Sequence, residues 1–361
     1  MKAVRFHAAG DVRIEEVPSP QARDGEVLVA IEWCGICGSD LNEYLGGPVA
    51  IPSQKTGPHH LTGEVLPVTM GHEFAGRIVH APATSSLSPG QSVVIDPRLY
   101  CSSCTACAQS ATNCCGKIGF CGLSGGGGGL SEMVALPPTM LHALPDGTDL
   151  AAATLIEPLA VAWHAVKQCA FVDLKATPIL IIGGGPIGVA TIFVLKVWGA
   201  KMVFVSEKSR GRKEFLLDLV DAAFDPTEVN VPSKCKELTD GDGVGIVFDC
   251  AGSQPGFQDG CDSLKFHGIY ANLAVPKGPM RLPFERFIPK ELTLKSFLAY
   301  DEIDFAETVA AFVEGKFKGV ERMITRRVTL DDVVDKGLKE LVENPDEHIK
   351  ILACARTESL L

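Results

Sequence analysis

Pro178-Ile-Leu-Ile-Ile-Gly-Gly-Gly-Pro-Ile-Gly188 places a bare apolar run directly before three spaced glycines. The run 178–182 reads as a buried parallel strand, and Gly188 opens a helical pattern that reaches Trp198. Gly183, Gly185 and Gly188 have the Gly-x-Gly-x-x-Gly spacing of a dinucleotide-binding turn, with Pro186 and Ile187 inside it. The first glycine permits the tight turn and the second lets a pyrophosphate approach the backbone at a helix N-terminus. The third lets helix and strand pack closely. Glu207 follows about 20 residues later, after the next candidate strand, where an acidic side chain binds ribose hydroxyls. This favours NAD over NADP. Lys208, Arg210 and Arg212 stand nearby, and acceptance of a 2'-phosphate by these cations is the competing reading.

From this turn outward, strands and helices alternate. Candidate strands at 201–205, 244–249 and 269–273 are separated by helical patterns at 188–198, 212–219 and 254–264. That alternation predicts an α/β, doubly wound parallel sheet. Upstream, residues 1–145 carry short β-rich runs at 27–31, 74–79 and 92–95, punctuated by Gly and Pro without βα alternation. Residues 151–168 read as one helix, and 125–129, five consecutive glycines, as a flexible loop. The tail from 297, with helical stretches at 305–313 and 330–342, is expected to return to the first domain.

Composition narrows the class of partner. The 361 residues are 46% hydrophobic and 21% charged, enough to bury a full core and suggesting two domains. A net charge of -11 supplies no field for phosphate backbones or anionic lipid, so nucleic acid and membrane are not expected partners and small molecules are. Residues 1–11 lack a signal-peptide pattern, and no stretch reaches spanning length without charge or proline. A cytoplasmic protein with reduced thiols is expected, because five of the 13 cysteines stand at metal positions and the other eight are scattered rather than arranged as a disulfide framework.

Cys101, Cys104, Cys107 and Cys115 fall in one short polar stretch, spaced for a single tetrahedral ion, which predicts a closed structural zinc site. Cys114 abuts Cys115 and is its alternative. A second set combines Cys37, in Cys34-Gly-Ile-Cys-Gly-Ser-Asp40, with His72 and Glu73, in Gly71-His-Glu-Phe-Ala-Gly76. One thiolate, one imidazole and one carboxylate suit zinc with an open position. Glu157, in Ile156-Glu-Pro-Leu, starts an otherwise apolar helix and is either a helix-start acid or a further ligand.

On these motifs, in this order along the whole chain, the sequence resembles the zinc-containing medium-chain alcohol dehydrogenases, nearest the butanediol and polyol (sorbitol-type) branch. The segment 57–63, ahead of Pro67, is similar to the longer segment of the butanediol enzymes. The resemblance implies a GroES-like β-rich catalytic domain from residues 1–159 and 297–361, with a zinc lobe near 98–118. It implies a Rossmann NAD-binding domain over 160–296 and a homodimer or homotetramer. It further implies two Zn2+ per chain, one held by Cys37, His72 and a glutamate, where Glu73 and Glu157 exchange or act through water. Asp40 is implied as the carboxylate orienting His72, and Ser39 as the hydroxyl that passes the substrate proton onward. Asn42 stands where relatives often carry a histidine, so the pH optimum of oxidation is expected to follow the activated alcohol or water rather than an imidazole. Gln91 replaces a usual aspartate, and nothing explains it.

The implied reaction is reversible hydride transfer between NAD(H) and a secondary alcohol or ketone, with a vicinal diol or hydroxyketone as substrate. Polyol oxidation or reduction of a larger ketone is the alternative. Tyr44, Leu45, Phe120 and Tyr300 are candidate pocket residues, rather apolar for a long polyol. A zinc-stabilised cofactor-binding protein without turnover would be expected to have lost some of Cys37, Ser39, His72 and Glu157, all of which are present.

Overall fold

The apolar run before the glycines forms the strand Ile179–Ile182, buried throughout, in a computed structural model that describes residues 1–170, 172–276 and 278–355. An unbroken apolar run suits a strand covered on both faces. Parallel partners flank it, Val203–Ser206 on one side and Val244–Asp249 on the other. The full sheet runs Ala222–Phe224, Val203–Ser206, Ile179–Ile182, Val244–Asp249, Leu264–Asn272 and Thr293–Ser296. Strand order therefore reverses between Ile179–Ile182 and Val244–Asp249, and ligands bind beyond the carboxyl ends of strands at such a switch point. Leu180, Phe204, Val247, Phe257 and Tyr270 belong to the core packed against this sheet. These elements lie in one compact unit, Pro158–Tyr300.

The other unit comprises Met1–Glu157 and Asp301–Leu361. Its main sheet is centred on Val27–Gly35, which pairs antiparallel with Glu73–His80, Met133–Leu136 and Lys350–Cys354. Ile324–Thr329 lies parallel beyond the last of these, so the chain's C-terminal part joins the sheet of its N-terminal part. Val29, Ile31, Phe74, Val93, Ile95 and Ile351 are fully or almost fully buried in its core.

Three local expectations change. Residues 151–168 form two helices, Leu150–Ala153 and Ile156–Cys169. Asp149 caps the first, and the Thr154 hydroxyl donates back to the Ala151 carbonyl at 2.7 Å, a bond that competes with helix continuation. The glycine run 125–129 is packed rather than loose. A Cβ on Gly129 would come within 2.7 Å of Cys34 Sγ and one on Gly128 within 2.7 Å of the Thr69 carbonyl, so only glycine fits. The stretch 330–342 is not one helix but a 3-10 turn, a wide π turn and a short α-helix, with Gly337 tight against Ile36. Among the described residues no helix is long and apolar enough to cross a membrane.

Candidate active site

The strand Val27–Gly35 ends at the helix Gly38–Gly46, and Cys37 sits between them as the helix N-cap. A capping box closes this end: Asp40 Oδ2 accepts from the Cys37 N–H at 2.9 Å. The same carboxylate turns its other oxygen toward His72 Nδ1 at 3.7 Å, and among the described residues neither atom has a hydrogen-bond partner. His72 precedes the strand Glu73–His80, which delivers its ring beside Cys37. Its other nitrogen, Nε2, lies 3.1 Å from Ser39 Oγ. The ligand atoms of Cys37, His72 and Glu73 lie within 4.8 Å of one another.

That donor set fits a zinc ion. Burial, then the Glu73 charge, pushes the Cys37 thiol well above its usual range, so a thiolate there calls for a cation alongside. Burial likewise raises Asp40, against the pull of His72 and the Cys37 N–H. Cys37 and His72 Nε2 offer soft and borderline donors of the kind zinc takes.

A residue absent from the sequence reading completes the site. Lys350, 1% exposed, begins the strand Lys350–Cys354 and places Nζ 2.7 Å from both Glu73 oxygens and 3.2 Å from the Ile36 carbonyl. Burial opposes its charge, but Glu73, Cys37 and Glu157 outweigh burial and the lysine pKa rises. Gly35, opposite Glu73 in register, makes room, since a Cβ there would run into the Glu73 side chain. Glu157 is buried in the first turn of Ile156–Cys169, outside the three-residue cluster, and its charge contributes to raising the Cys37 pKa. The signal for Lys350 was a single lysine inside the otherwise apolar run Ile349 to Ala353.

The four-cysteine cluster is brought together as spaced. Cys101 and Cys115 sulfurs are 3.5 Å apart and those of Cys104 and Cys107 3.6 Å. Zn–S bonds of about 2.3 Å in a tetrahedron need sulfurs roughly 3.8 Å apart, so the cage fits zinc. Hydrogen bonds from Ser103 bring Cys101 down to about 5, while burial holds Cys107 up at about 11. The Cys101 and Lys117 N–H groups donate to Cys115 Sγ at 3.4 and 3.3 Å. Cys114 is exposed and outside the cluster, which removes it as the alternative to Cys115.

In the other unit, Gly183 has φ +94°, a conformation favouring glycine, and a Cβ on Gly188 would strike the Gly183 carbonyl. Gly185 caps the helix Pro186–Val197 without a side chain, leaving its N–H end open. Glu207 is buried against this turn. Its Oε2 accepts from the Gly184 N–H at 2.6 Å and its Oε1 from the Ser209 N–H at 2.7 Å. Arg212 reaches the rim, 3.5 Å from where a Gly185 Cβ would be. Lys208 and Arg210 are exposed, and Arg210 pairs with Glu214 at 2.9 Å. The open helix end and glycine floor fit a dinucleotide pyrophosphate.

The proposed pocket residues divide. Phe120 faces His72 with ring centroids 6.3 Å apart. Tyr44 and Leu45 line a surface hollow with Ala9, Lys339 and Val342, and Tyr300 is fully buried, so its place in a pocket is withdrawn.

The family model for the alcohol dehydrogenase GroES-like domain matches residues 23–146, and that for zinc-binding dehydrogenase matches 186–314. The chain is 36% identical to the (R,R)-butanediol dehydrogenase of Neisseria gonorrhoeae, over 98% of this chain and 99% of that one. It is 28% identical to D-xylulose reductase A of Aspergillus oryzae, covering 93% and 94% of the two chains. The crystal structure of 2R,3R-butanediol dehydrogenase from Bacillus subtilis superposes with a TM-score of 0.90 at 34% identity, covering 98% and 99%.

Proposed function

The chain belongs to the zinc-containing medium-chain alcohol dehydrogenase family, and from that premise we propose that it oxidises a vicinal diol, or reduces the matching hydroxyketone, with NAD(H). The observation that carries this reading is the Cys37, His72 and Glu73 cluster with the Ser39 hydroxyl beside it, 3.1 Å from His72 Nε2. When bound, zinc supplies Lewis acidity that lowers the pKa of the substrate hydroxyl, and NAD supplies the hydride acceptor.

The chain's own residues do the rest. Cys37 and His72 would hold the ion, and the Asp40 carboxylate lies beside Nδ1, 3.7 Å away, where it would orient the His72 ring. Glu73 is the carboxylate in reach, steadied by Lys350, while Glu157, outside the cluster, acts through water. Ser39 accepts the substrate proton and passes it toward solvent on the side of exposed Asn42, three residues along the same helix face. Glu207 takes the ribose hydroxyls, which favours NAD, and Arg212 borders the same turn. Residues 1–159 with 297–361 are the catalytic domain in this reading, and 160–296 the cofactor domain.

Assembly as a homodimer or homotetramer is supported by the edge strand Thr293–Ser296, with Leu294 40%, Phe284 62% and Ile288 73% exposed nearby in sequence. Four cysteines gathered around one point fit a reducing compartment such as the cytoplasm, where thiols stay available as metal ligands.

The test is NADH absorbance with purified protein, NAD and a panel of 2,3-butanediol stereoisomers, sorbitol and xylitol. Turnover of a butanediol in preference to polyols is expected. Preference for xylitol would move the assignment to the polyol reading, which the xylulose reductase likeness favours. No turnover of any alcohol by chain carrying both zinc ions would sink the enzyme reading.

A further inference from the structure

We propose that Glu43 is a positioning residue that sets substrate preference, by pinning the segment 49–51 as an apolar wall stripped of hydrogen-bond donors. Glu43 lies on the helix Gly38–Gly46 and is 2% exposed, yet no step above uses it. A carboxylate at that depth is costly unless donors saturate it. Here three consecutive backbone N–H groups do so. Val49 N–H donates to Oε2 at 2.8 Å, Ala50 N–H to Oε1 at 2.5 Å and Ile51 N–H to Oε1 at 3.3 Å. The Glu43 carbonyl also accepts from the Gly47 N–H at 2.8 Å, so one residue ends the helix and grips the chain that follows.

The position of this wall follows from helical spacing. Ser39 and Glu43 are four residues apart, hence on one face and about 5–6 Å from each other. The Ser39 hydroxyl lies 3.1 Å from His72 Nε2, so the residue that grips the segment stands one helical turn from that hydroxyl. Ile51 anchors it in the core at 1% exposure, while Val49 is 70% exposed and Ala50 is exposed. With its N–H groups turned onto Glu43, the segment presents methyl groups and no donor. Such a wall accepts the methyl or methylene flank of a short diol and leaves the outer hydroxyls of a polyol unpaired, which penalises the polyol. The inference rests on the proposed diol reading and deepens it.

Glu43→Gln tests it, because an amide cannot accept three N–H groups with both of its polar atoms. Expected results are a KM for 2,3-butanediol raised about tenfold with kcat within about threefold, and kcat/KM discrimination over xylitol reduced about tenfold. Amide hydrogen exchange at 49–51 should lose its protection. A second variant, Val49→Ser, leaves the grip in place and adds a hydroxyl to the wall. It should lower discrimination with exchange unchanged. NADH titration by fluorescence should match wild type in both, since the cofactor turn lies in the other unit. If Glu43→Gln frees the amides but leaves KM and discrimination as they were, Glu43 is only a helix-end clasp and the proposal is wrong. Unchanged discrimination in Val49→Ser also overturns it. Should wild type turn over neither diol nor polyol, the diol reading fails, while exchange at 49–51 in Glu43→Gln still decides whether the grip exists.

Discussion

Replacing Lys350 by Met removes the cation from a pair in which each partner is 1% exposed. Methionine fills a similar volume, so packing changes little and the electrostatic consequence stands alone. Glu73 would then be buried with neither oxygen on its ammonium partner, and the Ile36 carbonyl would lose its donor. Breaking a buried ion pair from one side costs about 3–5 kcal/mol, because the surviving charge has lost its solvent and its counter-charge. For a unit of this size each kcal/mol moves the melting temperature by about 2–4 °C, so a fall on the order of 10 °C is expected in its transition. Differential scanning calorimetry would read it, with zinc content checked beside it. The reasoning makes a second demand on the double variant Glu73→Gln with Lys350→Met. Removing the stranded charge should recover most of the loss, since a neutral amide beside Met is far cheaper to bury than a carboxylate. A single variant melting within about 2 °C of wild type, or a double variant no more stable than the single, would refute the account of Lys350 as the counter-charge of Glu73.

Other outcomes follow from the same geometry. Glu207→Ala should raise KM for NAD by roughly 10- to 100-fold, the worth of a charge-assisted hydrogen bond of about 1.5–3 kcal/mol, with little change for NADP; a wild-type preference for NADP in kinetics would contradict the assignment. Cys104→Ser should lower bound zinc from two ions to one per chain by elemental analysis and lower the melting temperature, whereas an unchanged zinc count would disprove the four-thiolate cage. Asn42→His should add a group titrating near about 6.5 to the pH profile of kcat/KM, and an unaltered profile would remove position 42 from the proton path. Glu340 accepts from His348 at 3.1 Å, and that bond first, with Arg326 at 2.8 Å adding to it, holds its carboxyl below the ordinary 4.5. A depressed carboxyl stabilises the fold above its unfolded value and loses that contribution as pH falls through the folded one. Glu340→Gln should therefore flatten the decline in melting temperature below about pH 4.5, and a parallel decline in both proteins would argue against it.

Much of this protein was written in local patterns. An unbroken apolar run, glycines at fixed spacing and an acid after the next strand are short-range signals, and the turn at Gly183 and Gly188 forms at that spacing with Glu207 buried against it. The four cysteines close on one point because little chain separates them. Local pattern failed where the deciding contact was remote. Five glycines in a row read as a loose loop until Cys34, Thr69 and Phe74 were seen pressed against them. Residues 151–168 read as one helix because a threonine's back-bond to a carbonyl is invisible to apolar periodicity.

By itself, then, the sequence determined the parallel sheet, the glycine turn and the four-cysteine cluster, since each depends on residues close together in the chain or on a period that side chains must obey. Only the tertiary structure decided that Lys350 grips Glu73, that Glu157 stands outside the donor cluster and that Glu43 holds the segment after its own helix. Lys350 and Glu73 are 277 residues apart, and their meeting follows from strands at the two ends of the chain pairing with the same central strand, a fact of sheet order that no window of sequence contains.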